Sequence, residues 1–367
     1  MDEILKNSKE NLGISEFLDI SKEYVNKNFD GIDLENFFDS TLTGDFSFNN
    51  LKLSLFDFIG DEILEVVKIL ISVLIIIIIH SIFKIIIENL NNSSSANITE
   101  FIQYIVIVGI VVSMFNVITE ELNIVLDNIV TFMNMFIPFL SMLIVSTGNI
   151  VTSSVAEGVL FFSILFISNF IKNFLIPMFM ISVTLSIVSN FSEKIKLDGL
   201  AKFFKSTIIW ILGIVLTIFI CILSLETEIT SSVDSFTSKT TKAAVSNFIP
   251  VVGKIMGDSV DAVLGSFNII KNSVGVIGII VVLSITLFPI IKLFVMYVLF
   301  NITIVFSEII AENNIVKLLN GLSENLKVLL GVLISVTIML VIEIVIVIKI
   351  TNGVFIWCYF LSLGVKI

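Results

Sequence analysis

The chain contains repeated apolar runs of about 20 residues, the length that an α-helix needs to cross a bilayer. One of them, LISVLIIIIIHSIFKIII, occupies residues 70–87. Hydrophobic residues make up 56% of the 367 residues and charged residues only 14%, whereas soluble domains carry about 25% charged residues. A soluble fold of this length could not bury so much apolar surface. The sequence therefore predicts an all-α, polytopic membrane protein.

The spacing of the runs predicts about seven to nine transmembrane helices. The predicted apolar segments are 66–87, 101–118, 129–147, 158–190 (as two short helices or one broken helix), 206–225, 274–291, 293–306 and 326–350. Three acidic residues, Glu120, Glu121 and Asp127, are expected between the second and third spans. The short apolar tail 351–367 is expected to lie at the membrane interface.

Most of the net charge belongs to an N-terminal arm, residues 1–65. This arm carries 15 acidic residues and 5 lysines, whereas the rest of the chain carries 17 acidic residues and 16 lysines. Short amphipathic helices are expected at Ile14–Phe29 and Leu51–Ile59, with a partly disordered tether as the alternative. An acidic arm is not expected to bind nucleic acid or anionic lipid. Met1–Glu10 lacks the apolar core of a cleavable signal peptide.

Lysines concentrate in one loop, at 191–205, which contains Lys194, Lys196, Lys202 and Lys205. Because cytoplasmic loops are enriched in basic residues, this loop is predicted to be cytoplasmic. With nine spans the arm would then lie outside the cytoplasm. With a cytoplasmic N-terminus, a segment such as 129–147 would have to re-enter the membrane instead.

The segment 226–273 is too polar to be an ordinary span, and within it residues 247–271 are predicted to form an amphipathic helix. Its apolar residues recur at steps of three and four. Its polar face is assigned to Lys254, Asp258 and Asp261, and a ridge for close helix packing to Gly253, Gly257 and Gly265. This segment is expected to lie at the interface, to re-enter the membrane or to line a cavity.

The four prolines form two pairs with the same spacing, which suggests an internal repeat. Pro138 and Pro177 are 39 residues apart, as are Pro250 and Pro289, and both first members lie in the tripeptide FIP. The predicted division is an arm at 1–65, two leading helices at 66–128, a first repeat at 129–225, a second at 226–350 and a tail at 351–367. The prolines are candidate helix breaks and gating positions.

The two halves are further hypothesised to be inverted relative to each other. The loop 191–205 is basic, whereas its counterpart 307–325 is not, and this reversal is expected of inverted repeats. Inverted repeats in transporters place broken helices around a site near the bilayer midplane.

Ionisable residues within apolar runs are the candidate functional groups, because charges in hydrocarbon are costly and tend to be functional. They are Glu343, Lys172, Lys292, Glu157 and His80. No Walker A loop, no HExxH motif and no serine-protease-like set occurs. Neither cysteine, Cys221 or Cys358, has ligand spacing. The chain is therefore predicted to be no enzyme and to hold no metal or cofactor.

Several stretches of the chain are distinctive. The longest is NFIPVVGKIMGDSVDAVLGSFNIIKNSVGVIGIIVVL at 247–283, followed by LFPIIKL at 287–293. Others are SIVSNFSEKIKLDGLAKFFK at 186–205, IKNFLIPMF at 171–179 and EYVNKNFDGIDLENFF at 23–38. Together they resemble the stage III sporulation protein AE family, and the resemblance covers the chain from about residue 20 onward.

This resemblance implies a role in endospore formation, in the mother-cell membrane that surrounds the forespore. It implies a permease-like, multi-pass subunit of a channel complex between the two cells. The implied partners are other membrane proteins encoded in the same operon, a cytoplasmic ATPase and, indirectly, a forespore channel protein. Homo-oligomerisation is left open. Two alternatives to this function are an autonomous secondary transporter of a small solute and a non-conducting membrane scaffold.

Overall fold

A computed structural model describes residues 12–26, 33–43, 93–191, 197–248, 252–310 and 313–350, together with single positions between 64 and 86. Side chains of residues 224–263 are outside the described part. In these ranges the protein is helical and contains no strand. The helices are α1 (Ile14–Asn26), α2 (Leu34–Thr43), α3 (Ser93–Ser146), α4 (Ile150–Phe170), α5 (Ile176–Phe191), α6 (Asp198–Phe248), α7 (Val252–Ile310) and α8 (Asn313–Ile350), with a π-helical segment, Ile171–Leu175, between α4 and α5.

Five helical segments in the described residues are long and apolar enough to cross a membrane. They are Tyr104–Ser146, Ile150–Asn190, Asp198–Leu223, Leu264–Ile310 and Asn313–Lys349. The predicted count of seven to nine spans is not confirmed. The main reason is that the predicted spans 101–118 and 129–147 belong to one helix, as do 274–291 and 293–306. The predicted first span, 66–87, lies largely outside the described residues.

The acidic residues between the predicted second and third spans form no loop. Glu120, Glu121 and Asp127 lie on α3, which continues through them for 54 residues, about 80 Å at the rise of an α-helix. Glutamate is a good helix former, and no glycine or proline occurs between Gly109 and Pro138 to end the helix.

Prolines interrupt the helices less than predicted. Pro138 lies inside α3 and Pro289 inside α7, and neither helix ends there. A helix loses only one backbone hydrogen bond at a proline, and packed neighbours hold it together. Among the three prolines in the described residues, Pro177 alone is associated with a change of helix type, because the π-helical segment ends two residues before it. For 158–190, the interpretation as one broken helix therefore describes the structure better than two short helices.

The long helices run alternately up and down the molecule, so their ends collect at two levels. Ser182 of α5 contacts Asn325 of α8 at 3.0 Å, and Lys205 of α6 contacts the Gly321 carbonyl of α8 at 3.0 Å. The end of α5 and the starts of α6 and α8 therefore share one level, here called the lysine end. The opposite level is the arm end, where α3 and α4 are joined through Gly148, whose φ is +85°.

This arrangement contradicts the inverted relation of the two halves. The lysine-rich loop was expected on one side of the membrane and residues 307–325 on the other, but both flank the lysine end. The hairpins α4–α5–α6 and α7–α8 therefore run in the same direction. The reversal of loop charge on which the hypothesis rested does not reflect a reversal of orientation.

In its described residues the N-terminal arm forms two amphipathic helices, and the helix predicted at Ile14–Phe29 is confirmed over Ile14–Asn26 as α1. Buried residues recur along α1 at Ile14, Phe17, Leu18 and Val25. The Phe17 ring stacks on Phe139 of α3 at 4.8 Å between centroids and lies 6.0 Å from Phe136. Phe136 and Phe139 belong to the last part of α3, so the arm covers the bundle near the arm end. The predicted helix Leu51–Ile59 lies outside the described residues.

Exposed charges on α1 and α2 bind each other across the two helices. The Lys22 ammonium donates to Glu35 at 2.8 Å and to Asp19 at 3.1 Å. These two hydrogen bonds raise the pKa of Lys22, with Glu35 contributing most. The arm therefore packs with its apolar face against the bundle and its acidic face towards water.

Candidate functional site

A polar stripe runs along the outer face of α3, in the middle of a segment that is apolar enough to span a membrane. Seven residues form it: Ser113, Asn116, Glu120, Asn123, Asp127, Thr131 and Asn134. All are exposed except Asn123, which is half-buried. Their spacing of three and four places them on one face of the helix, over about 30 Å of its length.

The stripe does not suit a lipid-facing surface. Exposed aliphatic residues do flank it, including Val117 at 58% and Ile124 at 52% exposure. An ionised carboxylate facing the middle of the hydrocarbon layer costs about 3 kcal/mol, and amides also lose their hydrogen bonds to water there. A row of polar residues as long as the hydrocarbon layer is thick therefore needs water or polar protein beside it.

Ion pairs connect α3 to the two regions of the bundle that contain Pro177 and Pro289. The Lys172 ammonium, in the π-helical segment, binds the Asp127 carboxylate. The Lys292 ammonium of α7, three residues after Pro289, lies 3.4 Å from a carboxylate oxygen of Glu121. Both lysines were candidate intramembrane charges, and each is paired with an acidic residue of α3. The pairing offsets the cost of placing these charges within apolar segments.

A hydroxyl and carboxylate cluster closes the hairpin between α3 and α4. The Ser141 hydroxyl donates to Glu157 at 2.8 Å and lies 2.6 Å from the Ser153 hydroxyl, which in turn donates to the Ser141 carbonyl at 2.9 Å. Both serines are buried, and Glu157 is half-buried. This cluster fixes the position of the Glu157 carboxylate at the arm end.

A second buried cluster, centred on Asn325, ties three helices together near the lysine end. The Asn325 amide donates to the Gly321 carbonyl at 2.9 Å, and its side-chain oxygen accepts from Ser182 at 3.0 Å. Ser182 also contacts the Ala201 carbonyl of α6 at 3.3 Å. Asn325 and Ser182 are both fully buried. The amide therefore joins α8 to α5 and, through Ser182, to α6.

Replacing Asn325 with leucine should destabilise the protein by about 2 kcal/mol, because buried polar partners lose their hydrogen bonds. The matched control is Asn320→Leu on the same helix. Asn320 is exposed and bonds only the Val316 carbonyl of its own helix, at 3.0 Å. That control should change stability by about 0.5 kcal/mol or less. Unfolding of the two purified variants in detergent measures both effects, and equal stability would contradict the role given to Asn325.

Among the side chains that the structure describes on the α7–α8 hairpin, two ionisable ones are completely buried. Glu343 of α8 and Lys271 of α7 both have an exposed fraction of 0%. The Lys271 ammonium donates to the Asn268 side-chain oxygen at 3.1 Å. Glu343 was a candidate from the sequence, and the structure places it inside the bundle rather than at its surface.

Among the other predicted site residues, the structure gives the surroundings of three prolines and one glycine. Pro138 and Pro177 are exposed, and Pro289 is half-buried. A Cβ added at Gly265 would meet nothing within 4 Å, whereas one added at Gly275 or Gly278 would meet side chains of neighbouring helices. A gating role for the prolines and a packing role for the predicted glycine ridge stay predictions.

Several predicted residues cannot be placed. His80 and Pro250 lie outside the described residues. Gly253, Gly257, Lys254, Asp258 and Asp261 lie on the first turns of α7, but their surroundings belong to the part whose side chains are not described. The predicted amphipathic segment 247–271 is confirmed as helical only from Val252 onward and at residues 247–248, which end α6.

The polar stripe, Lys271 and Asn325 were missed by sequence reasoning. The stripe was detectable, because a search for polar residues at steps of three and four on 109–141 would have found it. Dividing this region into two spans and a connection concealed that period. Asn325 gave no comparable signal, because a single amide near the start of a helix is unremarkable until its neighbours are known.

No group of three or more His, Cys, Asp or Glu side chains in the described residues is arranged to hold a metal ion. The small apolar cavity between α3, α5, α6 and α8 is lined by residues such as Leu122, Leu175 and Val332 and offers no polar contact. The polar stripe with its ion pairs is therefore the strongest candidate site in this part of the chain.

Comparison with known proteins decides the family. The sequence profile of stage III sporulation protein AE matches residues 32–351, most of the chain. The chain belongs to this family. Stage III sporulation protein AE of Bacillus subtilis (strain 168) is 28% identical over 253 residues, which cover 68% of this chain and 63% of that relative. No solved structure matches the chain. The resemblance noted in the sequence is thereby confirmed, and this member of the stage III sporulation protein AE family is a helical, apolar sporulation membrane protein.

Proposed function

We propose that this protein is a multi-pass, permease-like subunit of the channel complex between mother cell and forespore, required for endospore formation. In this role it acts as conduit, gate or assembly platform and depends on a separate ATPase for energy. The observation that carries the proposal is family membership over residues 32–351. The five apolar helices and the polar stripe on α3 are consistent with it, because they suit a membrane subunit with a hydrophilic surface.

The proposed location is the mother-cell membrane around the forespore, with the lysine end in the cytoplasm. The lysine-rich loop supports this orientation through the positive-inside rule. The arm packs near the opposite end, so it would face the space between the two membranes. There its acidic face is available to the extracytoplasmic parts of partner proteins, whereas the cytoplasmic ATPase would meet the lysine end.

An internal repeat remains part of the proposal, in a parallel rather than an inverted form. The hairpin of α4, α5 and α6 would correspond to the hairpin of α7 and α8. In that correspondence Pro177 and Pro289, which are 112 residues apart, would be equivalent. Parallel repeats also occur in transporters, related by an axis along the membrane normal.

Deleting the gene in its host should block sporulation after engulfment and leave vegetative growth unchanged. Full-length protein supplied in trans should restore heat-resistant spores, which controls for effects on neighbouring genes. A pull-down of the complementing protein from sporulating cells in mild detergent, followed by mass spectrometry, should recover the other channel proteins. A growth defect with normal sporulation would contradict the proposal. Ion-dependent solute uptake by the protein alone in liposomes would instead favour an autonomous transporter.

A further inference from the structure

The polar stripe on α3 points to a surface that contacts water throughout the thickness of the membrane. Its seven residues are spaced by 3, 4, 3, 4, 4 and 3 positions, which keeps them within one narrow face of the helix. The same period continues to Gly109 on one side and to Pro138 and Ser141 on the other. No aliphatic residue interrupts this row from 109 to 141.

The stripe lies on the outer surface of the described bundle rather than in its interior. The buried face of α3 is apolar and includes Phe115, Leu122, Ile129 and Phe136. The side chain of Asp127 remains 68% exposed although it binds Lys172. Within the described residues α3 therefore lines no internal channel, and the remaining walls of any passage here must come from outside this part of the bundle.

We propose that this stripe lines one wall of a water-filled passage for small hydrophilic solutes in the assembled complex. The inference rests on the proposed function and deepens it by assigning the conducting surface. The wall consists of amides, hydroxyls and carboxylates, and Lys172 is the cation that approaches it from α4–α5. Because Lys172 pairs with Asp127, Glu120 leaves the wall with a net negative charge, which favours neutral or cationic solutes over polyanions.

Cysteine labelling in membranes of sporulating cells tests the passage. The full chain, with Cys221 and Cys358 changed to serine, carries one cysteine at a time. The stripe variants are Ser113→Cys, Asn116→Cys, Asn123→Cys and Asn134→Cys, and the matched controls are Val117→Cys and Ile124→Cys on the adjacent apolar surface. Only the thiolate reacts, and thiols ionise poorly in hydrocarbon, so stripe positions should label at least about tenfold faster than the controls.

Two charged reagents test the solute class. A cationic trimethylammonium thiosulfonate should react faster at Asn123→Cys than an anionic sulfonate thiosulfonate, after each rate is divided by its rate with a free thiol in solution. Adding Glu120→Gln should reduce that preference. A preference for the anionic reagent would overturn the assigned solute class.

Other outcomes contradict the passage itself. If the stripe and the controls label equally, or if the stripe cysteines do not label, the surface is dry. Shielding by residues 66–87 or by a neighbouring chain would give that result. Failure of the proposed function is distinguishable, because it appears as normal sporulation in the deletion strain. If the stripe cysteines stay unlabelled in a strain that needs the protein for sporulation, the water-filled passage is contradicted but the proposed function is not.

Discussion

Reversing the charge at position 127 should destabilise the protein by about 1–2 kcal/mol, because Asp127→Lys replaces an attraction to Lys172 by a repulsion, which solvent weakens at this exposed position. Asp127 binds Lys172 in the π-helical segment. The swapped variant, Asp127→Lys with Lys172→Asp, restores opposite charges on the same two helices and should recover most of the loss. Unfolding in detergent and the yield of heat-resistant spores measure the effect.

The control for this experiment is Glu120→Lys, which makes the same change of charge two turns earlier on the exposed face of α3. Because one exposed charge replaces another, its stability should change by less than about 1 kcal/mol. If the swapped variant is no more stable than Asp127→Lys alone, the pair does not hold α3 against the π-helical segment.

Hydropathy predicted the all-α membrane class correctly, whereas the predicted number of spans is not confirmed. Membrane helices are recognised from apolar runs of about 20 residues, so three acids on α3 were expected to end a span. The free-energy cost of placing those acids in an apolar helix is, however, offset by ion pairs, which an average of hydropathy does not include. Asp127 and Glu121 are matched by lysines that lie 45 and 171 residues further along the chain. Long-range pairing of this kind is not visible in a local window.

The candidate site was predicted in part. Lys172, Lys292, Glu157 and Glu343 were chosen because each interrupts an apolar run. The structure shows polar partners on α3 for Lys172, Lys292 and Glu157, and it buries Glu343 completely. Their acidic and hydroxyl partners on α3 could not be predicted from sequence, because partner choice depends on how the helices align. The relative orientation of the two halves was predicted wrongly for a related reason. Charge differences between loops were interpreted as topology, whereas Lys205 and Gly321 meet at one end of the bundle.

A second large effect is expected at Gly278, where α7 packs closely on α3. A Cβ added at Gly278 would lie 2.4 Å from Cζ and 2.6 Å from Cε2 of Phe136. The Phe136 ring is fully buried and stacks on Phe132 at 5.4 Å, with Phe17 of the arm at 6.0 Å, so it has no room to withdraw. Gly278→Ala should therefore cost about 1–3 kcal/mol, the usual range for overpacking.

Comparison with Gly331→Ala separates this clash from the general effect of removing a helical glycine. A Cβ at Gly331 in α8 meets nothing within 4 Å, so alanine there should stabilise the protein by about 0.5–1 kcal/mol. The two substitutions are chemically identical and should have opposite signs in detergent unfolding. Phe136→Leu should partly rescue Gly278→Ala, because the smaller side chain gives the new methyl group space. If Phe136→Leu gives no rescue, or if both glycine substitutions change stability in the same direction, close packing of α7 on α3 does not explain why position 278 is a glycine. Since Phe136 also contacts Phe17, Gly278→Ala should expose the arm to protease as well, which links the helix packing to the docking of the N-terminal arm.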